Sequence, residues 1–395
     1  MTKKRNYVAS KNALVLTGGG ARAAYQVGVL SAVAKFIPRN HGIPFPILCG
    51  TSAGAINTTA LGCYASCFHL GVKKLEWIWK NLDTAKIYHN DAKGVFGYIA
   101  KGMLASFQAD YADKVPRSLL NNAPLRSLLN TVMNFKRIDN NILRGYLSAI
   151  SVTASSYSTG DSISFYQAED NAQPWARAKR CGQPAQLNSE HLMASAAIPL
   201  VFPSIKIKNQ HFGDGSVHQL SPLSPAIHLG AERIFVIGVE QPKEPLHASE
   251  NNPHPPTAAT IAGHLLDSIF ADTMSSDLER MTRINETLKL IPKNKKDSME
   301  GLKHIDSFII NPSHDFNAIA LNYYYDLPLA VRLLLRSTGI SNDSESSIIS
   351  YLLFEKNFCA ELIKLGFEDA MEQENQIKHF LNLYPATKAH RQAKN

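Results

Sequence analysis

Cysteine is scarce: five in 395 residues, at positions 49, 63, 67, 181 and 359. So few, so irregularly placed, make no disulfide framework and point to a reducing, cytoplasmic setting. Cys63 and Cys67 stand close to His69, but a zinc site needs more ligands at workable spacing, and buried apolar thiols are the simpler reading. Long hydrophobic runs are missing too. Nowhere do about 18 apolar residues follow one another, so no transmembrane helix is expected and any membrane contact is peripheral. The apolar stretch at residues 13–16 is too short for a signal h-region, although secretion without a cleaved signal would leave no mark here. No aspartate or glutamate precedes Glu76, and no Gly-Lys-Ser/Thr follows the early glycines, so a P-loop is excluded.

The composition is that of a globular chain, 45% hydrophobic and 19% charged. Net charge is +8, which suits anionic partners such as lipid headgroups or nucleic acid, or serves solubility alone.

Short apolar strands alternate with helices. ALVLT (13–17), FPILCG (45–50), GYLSAISVTAS (145–155), DSISFYQ (161–167), ERIFVIGVE (232–240) and HIDSFIINP (304–312) read as strands. The spacing predicts an α/β fold of three layers, α/β/α, with a mainly parallel central sheet. Residues 70–140 read as a helical insertion, and 241–257, with five prolines, as a surface loop. An apolar stripe through Ile261, Leu265, Ile269, Leu278, Met281 and Leu288 predicts one long helix over about 258–290. The resulting division is a core over 1–310 and a helical C-terminal extension, 311–395, packed on it, with the last ten residues frayed. Within the extension, LPLAVRLLLRSTG carries few charges and reads as a core-facing helix rather than one lying on lipid.

Two glycine-rich stretches carry chemistry. In ILCGTSAGAIN, Ser52 lies between Gly50 and Gly54 at a strand-to-helix corner. Gly-x-Ser-x-Gly in that context is a nucleophile elbow: small neighbours permit the sharp turn, and the helix N-terminus favours negative charge. The earlier stretch, Gly18-Gly19-Gly20-Ala21-Arg22, also leaves a strand and opens a helix. If the two strands are neighbours, its backbone N–H groups form an oxyanion hole for Ser52. The same glycines match G-x-G-x-x-A with Ala23, a dinucleotide fingerprint, but the acid expected about 20 residues on is absent; only Arg39, facing a 2′-phosphate, keeps that alternative open. For a base, His218, His254, His264 and His304 lie downstream in no special setting. Asp214, in FGDGS, is the better candidate, its alternative being an Asp-Gly hairpin turn.

GGGARAAYQVGVL, GTSAGAIN, ASAAIPLVFP and FGDGS, in this order over residues 13–240, resemble the patatin-like phospholipases of the bacterial acylesterase type. The segment LLDSIFADTMSSDLERMTRIN is similar to a bacterial subgroup of that family. The resemblance implies a Ser52–Asp214 dyad without histidine, an oxyanion hole from Gly18 to Arg22, and hydrolysis of lipid esters of the phospholipase A or lysophospholipase kind. It implies no metal and no cofactor, and a membrane or micellar lipid as partner instead of nucleic acid; oligomeric state stays open. Ala23 departs from a glycine common in the family, and Ser216 from the glycine or alanine often found after the Asp-Gly pair. Arg22 is left either to a structural salt bridge or to a headgroup phosphate. An ordinary aspartate is a poor base for a hydroxyl, so the dyad requires Asp214 to be desolvated and within about 3 Å of the Ser52 hydroxyl. A nucleotide-binding protein and an inactive lipid-binding regulator remain as alternatives.

Overall fold

The computed structural model describes residues 11–91, 94–95, 97–98, 118–170, 172–242, 258–269, 273–292, 302–337 and 347–383. Most of the proline-rich loop 241–257, His254, part of the 70–140 insertion and the last ten residues lie outside this set.

The described strands are β1 (Asn12–Leu16), β2 (Ile47–Thr51), β3 (Ala149–Ser156), β4 (Ser162–Ala168), β5 (Trp175–Arg177), β6 (Arg180–Pro184), β7 (Ile205–Ile207), β8 (Gln210–Asp214), β9 (Arg233–Ile237) and β10 (Asp306–Ile310). They form one sheet in the order β10-β9-β1-β2-β3-β4-β6-β5. Pairing is parallel from β10 to β3 and antiparallel between β3 and β4. The strands β1 and β2 are buried along their whole length, as both faces of a parallel sheet must be. Alternate residues go to opposite sides. Leu14, Leu16 and Leu48 join one hydrophobic cluster, while Ala13, Val15, Ile47 and Cys49 join the other. The three-layer α/β expectation therefore holds.

The helices, in chain order, are α1 (Ala24–Phe36), α2 (Ala53–Cys63), α3 (Phe68–Lys80), α4 (Ala123–Val132), α5 (Lys136–Leu143), α6 (Ser189–Ser195), α7 (Ser224–His228), α8 (Ala258–Asp267), α9 (Thr273–Leu290), α10 (Phe316–Asn322), α11 (Leu329–Ser337), α12 (Ile348–Leu352), α13 (Lys356–Glu372) and α14 (Glu374–Phe380). The apolar stripe falls on α8 and α9, and residues 270–272 between them lie outside the described set. The hairpin β5–β6 was not anticipated. Its strands are short and half exposed, so no apolar alternation marks them.

The helix α1 is buried over most of its length, packed against α3 and, most extensively, against α13. A Cβ on Gly28 would sit 2.0 Å from the Ile363 carbonyl oxygen, and one on Gly366 would sit 2.2 Å from that of Tyr25. The two backbones touch, and the Tyr25 hydroxyl donates to Asp369 at 2.9 Å. In α11, Ala330, Val331, Leu334 and Leu335 are buried, as a core-facing helix requires.

The sheet brings two strand ends together on β3. Thr51, the last residue of β2, pairs with Thr153 of β3. Asp214, the last residue of β8, pairs antiparallel with the next residue, Ala154. The other edge of β3 is occupied by β4. Thus β2 and β8 run head to head along one edge of β3, and their C-terminal ends meet.

Candidate active site

At the end of β2 the chain turns sharply into α2. Ser52 occupies the corner with φ 55° and ψ −128°, a conformation that costs an L-residue of order 1–3 kcal/mol and clusters at functional sites. Both flanking glycines are demanded by space. A Cβ on Gly50 would meet Thr58 Oγ1 at 2.3 Å, and one on Gly54 would lie 2.3 Å from the Leu16 carbonyl oxygen. The second contact also shows that α2 begins against the end of β1, beside the glycine loop.

The Ser52 hydroxyl donates to Asp214 Oδ2 at 2.6 Å. The other carboxylate oxygen, Oδ1, accepts from the Ser216 N–H at 3.0 Å. The backbone N–H of Asp214 is bound to the Ala197 carbonyl at 2.9 Å. Asp214 is fully buried, and loss of hydration pushes its pKa up to about 7 against the opposing hydrogen bonds from Ser52 and Ser216. The Asp-Gly hairpin alternative fails: the β7–β8 hairpin turns earlier, at residues 208–209, and Asp214 closes a strand instead of lying in a loop. Ser216 keeps the tight path because its N–H is the Asp214 donor.

The glycine loop follows β1 directly, and β1 is the neighbour of β2, as the oxyanion reading needs. Gly20 shares a cavity with Ser52. Gly20 has φ 54°, and a Cβ there would be 2.4 Å from the Tyr351 carbonyl oxygen. Among the described residues, the N–H groups of Gly18 and Gly19 meet no acceptor of the chain. Gly18 itself lines a separate small recess with Thr51 and Ser216, and Ala21 is fully buried.

Arg22 does not serve as an oxyanion donor, and its side chain takes the structural of its two expected roles. Its backbone N–H donates to Gly19 O at 3.0 Å, so it is used inside the loop's own turn and is no oxyanion donor. Its guanidinium is buried and points away, to Ser350 (2.8 Å), Tyr351 (3.0 Å), Asn317 (2.8 Å) and Asp267 (3.1 Å). It also stacks 3.8 Å above the Tyr351 ring. A headgroup phosphate therefore has no access to it; the structural salt bridge is the one observed.

From Ser52 an apolar cavity of about 60 Å³ follows one face of α2, past Ala53, Ile56 and Ala60. Trp79, Leu129 and Phe354 form other walls. Trp79 is held by its indole N–H on Asn57 Oδ1 at 2.9 Å and by stacking with Phe354.

The remaining candidates separate cleanly. Arg39 is exposed beyond the far end of α1, about 20 Å of helix from the glycine loop, so it does not face that loop. His304 is paired with Asp306, and His218 and His264 make no hydrogen bond to Ser52 or Asp214. No group of three or more His, Cys, Asp or Glu among the described residues forms a metal cluster. Burial pushes the Cys63 thiol up to about 11, in keeping with an inert apolar role.

Ser195 went unremarked in the sequence although it stands inside ASAAIPLVFP. Its hydroxyl accepts from the Ser52 N–H at 2.8 Å and donates to the Thr153 carbonyl at 2.6 Å. It ties the elbow to β3, and its only sequence signal was a polar residue among alanines. Phe354 and Tyr351 were also missed, because they reach the site from the other end of the chain.

A search of curated proteins finds no match. Among solved structures, VipD from Legionella pneumophila aligns with 92% of this chain and 67% of its own at 12% identity, with a TM-score of 0.39, too distant a likeness to carry an argument. The profile described as patatin-like phospholipase matches residues 14–227, more than half of the chain. That span takes in the glycine loop, the Ser52 corner and the strand ending at Asp214, and so the chain belongs to the patatin-like phospholipase family, a family of lipid acyl hydrolases.

Proposed function

We propose that this protein hydrolyses carboxylic esters of lipids, of the phospholipase A or lysophospholipase kind, with Ser52 as nucleophile and Asp214 as its base. The observation that carries this reading is the 2.6 Å hydrogen bond from Ser52 Oγ to a wholly buried carboxylate, at the mouth of an apolar cavity. A carboxyl with a pKa of about 7 is a far better proton acceptor than an ordinary aspartate, and the hydrogen bond orients the hydroxyl for attack.

In this scheme the acyl chain lies in the cavity along α2. Ser52 Oγ attacks the ester carbonyl while its proton passes to Asp214. The oxyanion is held by backbone N–H groups of the glycine loop, Gly18 and Gly19 being the donors without an internal acceptor. The tetrahedral intermediate expels the alcohol, which takes the proton from Asp214. Water, deprotonated in turn by Asp214, releases the fatty acid and restores Ser52. No metal or cofactor enters any step. The substrate surface is a membrane or micelle, met peripherally.

The test is labelling with a fluorophosphonate followed by peptide mapping. Wild type is expected to carry the label on Ser52 and Ser52→Ala to carry none. Undiminished labelling of Ser52→Ala would remove the nucleophile assignment.

A further inference from the structure

Between α6 and β7 the chain passes through Pro199 and Leu200. The turn is closed by the Phe202 N–H on the Ile198 carbonyl at 2.9 Å. Leu200 has φ 66°, in the left-handed region where glycine or asparagine is the economical choice and a bulky side chain is an outlier. Its side chain is 78% exposed. A single exposed leucine needs no explanation. A leucine that is exposed and also strained is unfavourable in water twice over, and no contact among the described residues repays it.

Its surroundings say what does. Ile198 and Phe202, on either side of Leu200, line the cavity beside Ser52. The backbone is fixed by two bonds, Leu119 N–H to Leu200 O at 2.8 Å and Leu120 N–H to Val201 O at 2.9 Å. This places Leu119, itself 38% exposed, next to Leu200. The hairpin that follows carries Lys206 and Lys208, both exposed and neither in an ion pair among the described residues. An apolar tip beside an apolar cavity, with cations on the adjoining hairpin and a net charge of +8, matches an anionic lipid surface.

We propose that the Pro199-Leu200 turn, together with Leu119, is the segment that docks this protein on a lipid bilayer, setting the cavity mouth against the lipid. The proposal rests on the lipid hydrolase reading and adds the surface through which substrate is reached. Leu200 is a positioning residue: it enters the lipid and touches none of the reacting atoms.

Docking is measured without turnover, as co-sedimentation of the full chain carrying Ser52→Ala with vesicles of phosphatidylcholine and phosphatidylglycerol. Adding Leu200→Asn is expected to weaken binding about tenfold, the contribution of one buried leucine side chain. Its melting temperature is expected to stay level or rise by about 1–2 °C, because asparagine relieves the backbone strain. Leu143→Asn is the control. Leu143 is 84% exposed at the end of α5, which packs at the far end of α2 through Asn141 on the Gly62 carbonyl, and it should leave vesicle binding unchanged. Binding by Leu200→Asn equal to that of its parent, or an equal loss with Leu143→Asn, overturns the proposal. So does a lowered melting temperature for Leu200→Asn, since that would make the leucine a packing residue. The nucleophile assignment is judged separately by fluorophosphonate labelling of wild-type protein, so either idea can fail alone.

Discussion

Burial holds the Asp214 carboxyl at a pKa of about 7, and this has opposite consequences for activity and stability. Attack requires the carboxylate, so kcat/KM on a soluble ester should rise with pH through about 7 and then level off. Asp214→Asn keeps the shape but accepts no proton, and kcat should fall about 10²–10⁴-fold. Stability runs the other way. The folded-state pKa lies above the ordinary 3.8, so between those pH values the native state retains a proton that the unfolded chain releases. Stability therefore declines as pH rises from about 4 to about 7 and stays reduced above. Asp214→Asn removes that cost, and thermal melts should show it more stable than wild type at pH 8 and level with it at pH 4. Equal melting at pH 8 would mean that the carboxyl is better hydrated than the structure has it. The glycines give a second residue-level expectation. Gly54→Ala drives a methyl into the Leu16 and Thr17 carbonyls and should destabilise by about 1–3 kcal/mol in denaturant titration.

Among the elements, β3 is the template. Its consecutive residues Thr153 and Ala154 receive the ends of β2 and β8, which is why two side chains far apart in the chain arrive within hydrogen-bonding distance. Ser195 adds a brace from α6 to both the elbow and β3. Ser195→Ala leaves the Ser52 N–H and the Thr153 carbonyl unpaired, at a cost of about 1–3 kcal/mol. Because the corner then shifts relative to Asp214, fluorophosphonate labelling should also slow by about ten- to a hundredfold. Labelling at the wild-type rate would show that the elbow holds its strained geometry without the brace. Much of this was legible in the chain. Buried strands announced themselves as unbroken apolar runs, and the corner as small residues around one serine. The β5–β6 hairpin did not, because its residues lie at the sheet's edge, half in water, where no alternation is imposed.

Across the molecule, the C-terminal helices are part of the site's support. Arg22 runs from the glycine loop to Ser350, Tyr351, Asn317 and Asp267, and Phe354 walls the cavity. Arg22→Met strips these groups of a buried partner and should destabilise by about 3 kcal/mol, read from denaturant midpoints. Deleting residues 311–395 uncovers the α1 face that meets α13 at Gly28 and Gly366, and the shortened chain should aggregate rather than survive as an active core. A soluble, labelled product would show that α1 can be covered some other way.

What the chain specifies locally is its vocabulary: strands from runs of buried apolar residues, a corner from glycines around Ser52, an acid at the end of FGD. These follow from short-range sterics and hydrophobic pattern, which any stretch carries with it. Partnership is a property of the folded molecule. Arg22 could be assigned either to a phosphate or to a salt bridge until the C-terminal helices were in place to take its guanidinium. The raised pKa of Asp214 exists only where long-range packing removes water, and the cavity exists only where α2, α3, α4 and Phe354 close around it. Such contacts join residues hundreds of positions apart, and no local pattern in the chain encodes them.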